Sequence, residues 1–339
     1  MWALFAGNTG NADFENYNVY YSYYSMHIFD GFWFPDLEKG FSLLMQIANY
    51  FGLSYNQFLG IYAFIGLSLI ANSILKYSKL KFLPLFLYFF YQYFLDIVQI
   101  RNFMLLSIFI FSIRYLVDWY NTNKMASLLK YIACILIAVQ FQITGLFFLL
   151  AVFVKKISNI RLAKRITLVT VLLFAFSPYI LKIAITVFND SRYIIYFNNS
   201  TSVKGVLFIV FYIFSGVLII NCLNNRIQGD QEKGVGASLF SNVVLKFNIL
   251  LITSIFLFSI TPDFIRIYRN VQVLNYIMLT HCMKPTKISL KPRNFLSSTS
   301  FILFFILSAY SFLWLQNVNG VILPILSNNM FFNFIKINN

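Results

Sequence analysis

Long uncharged, mostly apolar runs alternate along this chain with short charged clusters. The runs lie at 56–75, 82–95, 102–113, 131–154, 166–181, 205–225, 247–262, 270–283 and 294–335. A helix crosses the hydrocarbon core of a bilayer in about 20 apolar residues, and in fewer where flanking side chains snorkel or the bilayer thins. Each run is therefore read as a membrane-crossing or re-entrant helix. The expected fold is an all-α polytopic integral membrane protein with about nine to ten such helices. It forms a single transmembrane domain over residues 1–339, with 1–55 as an external segment and 56–335 as the spans.

The basic side chains give the spans a direction. Clusters fall at Lys76/Lys79/Lys81, Lys124/Lys130, Lys155/Lys156/Arg161/Lys164/Arg165, Arg226/Lys233/Lys246 and Lys284/Lys287/Lys291/Arg293, together 17 of the 26 Lys and Arg. Cytoplasmic loops carry an excess of these residues, so all five clusters are placed inside. Neighbouring clusters must then be separated by an even number of crossings. Three intervals hold two runs each, with outside turns at Asp96–Arg101, at 183–203 and from Thr261-Pro262-Asp263 onward. The interval 131–154 holds one run, which would put its flanks on opposite faces. Two half-spans breaking near Gln140–Gly145 restore the parity. Non-helical backbone at that depth survives only against protein or a water-filled cavity. The stretch Gln140-Phe141-Gln142-Ile143-Thr144-Gly145 is accordingly expected to face an outward-facing active-site cavity. The polar connections 118–130, 154–165, 189–203 and 223–246 are read as loops.

Counting back from Lys76 places residues 1–55 outside. They hold five acids (Asp13, Glu15, Asp30, Asp36, Glu38) against one base (Lys39). Trp2-Ala3-Leu4-Phe5-Ala6 looks like the tail of a span, and nothing in 1–55 has the basic start and apolar centre of a signal peptide. The start is therefore expected to lie inside a longer protein that has one further N-terminal span. A short translocated N-terminus is the other reading.

Composition narrows the class. Only 11% of the residues are charged and 59% are hydrophobic, where soluble domains run near a quarter charged. The 41 Phe and 22 Tyr exclude disorder. Three cysteines in or beside apolar runs leave an odd one over and do not make a disulfide scaffold. A net charge of +15 suits nucleic acid only as a patch on a folded surface. Here the bases mark topology, and no nucleic-acid partner is implied. A Cys/His metal constellation, a phosphate-binding Gly-rich loop and a nucleophile elbow are all missing. Nothing in the sequence calls for a metal or a cofactor. His27 and His281 are read as structural.

The informative charges are the bases that fall outside: Arg101, Lys182, Arg192, Lys204, Arg266 and Arg269. Ionisable groups near spans are costly and mark function by default, and guanidinium forks bind phosphate oxygens bidentately. Lys182 and Lys204 are read as snorkelling, as is Arg114 near the inner face. Arg101, in Gln99-Ile100-Arg101-Asn102 at a helix start, is read as functional. Arg266 and Arg269, in Arg266-Ile267-Tyr268-Arg269, share one helix face at i, i+3. Arg192 either joins them or pairs with Asp190. On the acidic side, Asp13-Phe14-Glu15-Asn16-Tyr17 and Tyr20-Tyr21-Ser22-Tyr23-Tyr24 set carboxylates beside phenols, as a sugar-binding surface or as an interfacial aromatic belt. Glu38, before Lys39-Gly40-Phe41, is either a catalytic carboxylate or a helix-start residue that favours the dipole.

Taken in order, Asp13/Tyr17, Glu38-Lys39-Gly40-Phe41, Gln99-Ile100-Arg101-Asn102, Gln142-Ile143-Thr144-Gly145 and Arg266-Ile267-Tyr268-Arg269 resemble the EpsG/Wzy family of polysaccharide polymerases across nearly the whole chain. The resemblance implies a multi-pass protein of the bacterial cytoplasmic membrane that joins lipid-linked oligosaccharide repeat units at the outer face. The donor would be a glycan on undecaprenyl pyrophosphate. Membrane lipids are its surroundings, and a chain-length regulator and a flippase its candidate protein partners. Proteins of this kind commonly carry a His where Gln142 stands, and Gln cannot be a general base. The implied catalytic set is Glu38, Asp13, Arg101 and Arg266, with Tyr17, Gln99, Asn102, Gln142, Arg192, Tyr268 and Arg269 binding substrate. A ligase of related architecture and a transporter or flippase of lipid-linked sugars are the alternatives.

Overall fold

The computed structural model describes all residues except 28, 30, 32, 35, 36, 178, 180–200, 230–233, 284–291 and 333–339. Among the described residues every regular element is helical, and the one β feature is an isolated bridge between Asn8 and Asn329. Helices α1 (Trp2–Ala6), α2 (Phe14–Met26) and α3 (Lys39–Tyr50) precede the long α4 (Tyr55–Tyr77). A capping box opens α4: Ser54 Oγ accepts from the Gln57 amide at 3.3 Å, and Gln57 Oε1 accepts from the Ser54 amide at 2.8 Å. A π-helical turn at Phe89–Tyr93 joins α5 (Phe82–Tyr88) to α6 (Phe94–Val98), and Gln99 separates α6 from α7 (Ile100–Thr122). Next, α8 (Met125–Val139) stops short, and after residues 140–142 a 3₁₀ segment, Ile143–Leu149, leads into α9 (Leu150–Phe153). The helix is thus interrupted inside the interval where two half-spans were expected.

The chain continues through α10 (Asn159–Ala175), α11 (Val203–Gln228), α12 (Gly234–Leu250), α13 (Ser254–Ile260), α14 (Ile265–Thr280), α15 (Pro292–Ala309) and α16 (Leu323–Ser327). Five stretches are long and apolar enough to cross a membrane: Tyr55–Tyr77, Ile100–Thr122, Val203–Gln228, Val235–Ile260 and Leu296–Trp314. Four shorter apolar helices stand beside them, at Phe82–Val98, Met125–Val139, Ile143–Phe153 and Val318–Ser327.

The chain divides into two compact units. The first holds Met1–Tyr115, Leu129–Gly145 and Ile302–Asn339. Its two chain ends are knitted together: Thr9 donates to the Asn328 carbonyl at 2.8 Å, Met330 to the Gly7 carbonyl at 2.8 Å, and Asn329 Nδ2 to the Leu4 carbonyl at 3.1 Å. In α2 the spacing i, i+4, i+7 buries Tyr17, Tyr21 and Tyr24. Of the tyrosine run, Tyr21 and Tyr24 therefore belong to the core. The Tyr21 hydroxyl donates to the Leu53 carbonyl at 2.7 Å, and burial pushes it up to about 12, so it keeps that proton at ordinary pH.

The second unit holds Leu116–Leu128 and Leu146–Phe301. Within it α14 is buried from Ile267 through Thr280, so its polar side chains need protein partners. Asn275 and Asn248 exchange amide hydrogen bonds at 2.8 and 3.1 Å.

Three sequence expectations are corrected here. Lys246 is not in a loop. It lies within the apolar stretch Val235–Ile260, 3% exposed, with its ammonium donating to the carbonyls of Val154 and Lys155 at 2.8 and 2.7 Å. Carbonyls just past a helix C-terminus lack intrahelical donors and carry partial negative charge, which is what makes a buried ammonium tolerable there. The connections 118–130 and 223–246 are mostly helical: α7 reaches Thr122 and α8 starts at Met125, while α11 reaches Gln228 and α12 starts at Gly234. Asn123 takes a positive φ of 59° between α7 and α8, a conformation that asparagine tolerates better than most residues. Asp96 is not an exposed turn residue either. It lies within α6, 2% exposed, and accepts from the Tyr88 hydroxyl at 2.8 Å.

Candidate active site

Glu38 stands at the N-cap of α3 with extended backbone (φ −69°, ψ 141°), yet its carboxylate does not cap the helix. It turns away to Arg101, the second residue of α7. Arg101 Nη1 donates to Glu38 Oε2, and Arg101 Nε donates to the Tyr17 hydroxyl at 3.1 Å. The guanidinium carbon also lies 5.9 Å from the centroid of the Tyr17 ring. Glu38 Oε1 receives the backbone amide of Ile143 at 3.4 Å. One cluster thus gathers α2, the start of α3, the start of α7 and the interruption after α8. Glu38 thus stands at the start of α3, as a dipole-favouring residue would, and its carboxylate is in addition held by Arg101 and by the Ile143 amide.

The local sequence explains why these segments meet. Gly40 lets α3 lie against the interruption: a Cβ there would sit 2.5 Å from Gln140 Cβ and 2.8 Å from its carbonyl oxygen. The Phe41 amide donates to that same carbonyl at 3.3 Å. The Phe41 side chain is fully buried, with ring centroids 5.5 Å from Tyr17 and 5.8 Å from Tyr62. Tyr62 in turn donates to the Ile100 carbonyl at 3.1 Å, which holds the start of α7. The order Glu-x-Gly-Phe therefore has a mechanical meaning. The carboxylate reaches the arginine, the glycine permits close approach, and the phenylalanine locks both to the core.

The Arg101 and Glu38 side chains keep 21% and 20% of their exposure, so the pair is partly covered yet reachable. A helix N-terminus favours negative charge, and Arg101 adds a full positive charge to the start of α7. An incoming phosphate oxygen would compete with Glu38 for the guanidinium.

The other sequence candidates distribute as follows. Asp13 precedes the first turn of α2, and its carbonyl accepts from the Tyr17 amide at 3.2 Å. Gln99 is the link between α6 and α7, and Asn102 is buried on the first turn of α7. Gln142 is buried, and the peptide following it carries the amide that reaches Glu38. Arg266, Tyr268 and Arg269 belong to the second unit, on α14. Arg266 Nη2 donates to Asp263 Oδ1 at 2.9 Å, and its buried Nε has no hydrogen-bond partner among the described residues. Tyr268 packs on Tyr212 with ring centroids 4.9 Å apart, and Arg269 is 4% exposed. Arg192 lies outside the described residues. Among the described residues no group of three or more His, Cys, Asp or Glu could hold a metal ion. The sequence reading missed the Ile143 amide, a backbone donor that no side-chain motif announces, although the expected break at Gln140–Gly145 was the signal for free amides there.

Compared with known proteins, residues 1–331 of the 339 match the family model described as the EpsG family. No curated protein and no solved structure matches the chain.

Proposed function

Because this chain belongs to the EpsG family, we propose that it joins undecaprenyl-pyrophosphate-linked oligosaccharide repeat units at the outer face of the bacterial cytoplasmic membrane. In general terms the family makes it a multi-pass membrane protein and an exopolysaccharide-related polymerase. The donor, the face of the membrane and the stepwise joining are our reading. The observation that carries it is the Glu38–Arg101–Tyr17 cluster, with Ile143 closing its fourth side.

In the proposed reaction an acceptor hydroxyl on the incoming unit attacks the anomeric carbon of the growing glycan. A new carbon–oxygen bond forms there as the bond to the pyrophosphate breaks. Undecaprenyl pyrophosphate departs with the electron pair, and the hydroxyl proton passes to Glu38 or Asp13. Arg101 stabilises the charge that grows on the leaving group. Gln142 cannot take a proton, so it orients substrate through hydrogen bonds, with Gln99, Asn102 and Tyr17. In this reading the four shorter apolar helices complete a set of about nine to ten crossing or re-entrant segments. Residues 1–55 lie outside, where the cluster opens to a cavity. A flippase would supply the units, and a chain-length regulator would limit the product.

Removing the chain from its bacterium tests the assignment. The expected result is single lipid-linked repeat units accumulating at the outer leaflet with no long polymer. Finished but unattached polymer would instead make it a ligase, and units held at the inner leaflet would make it a transporter. Extracted lipid-linked glycans, sized by gel and mass spectrometry, separate the three.

A further inference from the structure

The exposed face of α10 changes character along its length. Arg161, Lys164, Arg165, Leu168, Val169 and Leu172 recur on that face at helical spacing, and all six are exposed. Three cations thus give way to an apolar surface. Lys156, exposed just before the helix, adds a fourth charge. Among the described residues, none of these four side chains makes a hydrogen bond, an ion pair or a ring contact. The chain supplies no acid nearby in sequence, since no Asp or Glu stands between Asp118 and Asp190. Neighbouring polar groups are used differently. Lys155 donates to the Trp119 carbonyl and to Asn123 Oδ1, and its ammonium lies 4.3 Å from the centroid of the Trp119 ring. Lys246 holds the Lys155 carbonyl at 2.7 Å, and Asn159 Nδ2 donates to Asn242 Oδ1 at 2.9 Å. The start of α10 is therefore fastened to α12 and to the end of α7, all within the second unit. The patch is held in place by bonds that leave its four cations free.

We propose that Lys156, Arg161, Lys164 and Arg165 bind the phosphate groups of anionic phospholipids in the leaflet that this end of α10 enters. The arrangement is unfavourable without such a partner. Like charges at i, i+3 and i, i+4 repel one another. The positive end of the helix dipole adds to that repulsion, and the first turn of α10 has no acidic residue to offset it. Phosphate oxygens relieve both effects, and the two guanidinium forks can hold them bidentately. Clusters of four or more bases beside an apolar helix attract anionic lipid, each base contributing roughly fivefold. The position on the helix selects a lipid over a soluble anion. Leu168 follows Arg165 by three residues, about 4.5 Å along the axis. A headgroup held by the bases would therefore run its acyl chains down Leu168, Val169 and Leu172. A zwitterionic lipid carries its own cation, which these four side chains repel, so the net negative charge of the headgroup decides the preference.

The lipid site is independent of the polymerase reading, and glycan length plays no part in its test. Full-length protein in detergent is titrated with phosphatidylglycerol and with phosphatidylcholine, and bound lipids are counted by native mass spectrometry. The expected result is a first phosphatidylglycerol bound at least about tenfold more tightly than phosphatidylcholine. A chain with Arg161→Gln, Lys164→Gln and Arg165→Gln should lose that preference, with melting temperature recorded to confirm folding. Arg165→Gln alone should lose about fivefold, which keeps the test decisive if the triple variant does not fold. Lys76→Gln, Lys79→Gln and Lys81→Gln together remove the same charge elsewhere and should leave the preference standing. Equal binding of the two lipids, a folded α10 variant that binds as the parent does, or an equal loss in the Lys76/Lys79/Lys81 chain would overturn the site. Inorganic phosphate at constant ionic strength separates the sources. A parent that it stabilises against heat, but that does not prefer phosphatidylglycerol, would hold a soluble anion there and the lipid assignment would be wrong.

Discussion

An Arg101→Ala chain is expected to make no long polymer and to leave the single lipid-linked repeat unit accumulating. Arg101 bonds both Tyr17 and Glu38, through separate nitrogens of its guanidinium. Losing a preorganised donor of transition-state charge costs roughly 10²–10³ in rate. A polymer many units long compounds that loss, because each elongation step must compete with termination. Arg101→Lys is expected to recover only part of the length. It keeps the charge but presents it from a single point, and cannot hold the Tyr17 hydroxyl and Glu38 in two fixed directions at once. Arg114, on the same helix, donates to the Phe111 carbonyl at 3.0 Å and stacks on the Phe111 ring at 3.9 Å. Arg114→Ala is expected to retain polymer length, which separates loss of this arginine from loss of any positive charge on α7. Gel sizing of the glycan and mass spectrometry of the lipid-linked pool read all three variants. Normal polymer length in Arg101→Ala would refute the role given to it.

Gly40→Ala is expected to be nearly as damaging, although Gly40 carries no functional group. Within a helix the exchange of Gly for Ala ordinarily stabilises by up to about 1 kcal/mol. Here the added Cβ would lie 2.5 Å from Gln140 Cβ and 3.2 Å from the Gln140 carbonyl carbon. Backbone atoms cannot swing away, so α3 must shift off the interruption. Overpacking of this kind costs about 1–3 kcal/mol. The shift also carries Glu38, two residues earlier, away from the Ile143 amide. Both stability and polymer synthesis should therefore fall, the latter at least tenfold, since ångström-scale misplacement of reacting groups can cost ~10²-fold. Gly236 is the control, because a Cβ there meets nothing within 4 Å. Gly236→Ala in α12 should hold or raise the melting temperature. A Gly40→Ala chain that melted higher than the parent and kept polymer length would contradict the close-approach account.

These two positions show what could be read from the residues alone. Glu38, Gly40 and Arg101 stood in short motifs, and the interruption near Gln142 followed from counting basic clusters against apolar runs. The pairing of Glu38 with Arg101, 63 positions apart, is another matter. Nothing in the local pattern distinguishes a carboxylate that caps its own helix from one that leaves it for another, and packing around Phe41 and Tyr62 decides between them. Lys246 was misplaced for a related reason. A lysine between apolar runs looks like a loop marker, and only the tertiary fold supplies the two carbonyls that let it stay inside. Asp96 repeats the lesson, since its partner Tyr88 lies across a π-helical turn that hydrophobic periodicity does not reveal.

The most direct test of the central claim uses purified chain in lipid nanodiscs, supplied with one defined undecaprenyl-pyrophosphate-linked repeat unit. The account predicts a ladder of lipid-linked products, each one repeat unit longer than the last, with undecaprenyl pyrophosphate released in step. The Arg101→Ala chain should convert no more than about a hundredth as much substrate in the same time. A parent chain that leaves the repeat unit unchanged while its fold is intact, or an Arg101→Ala chain that builds the same ladder, would contradict it.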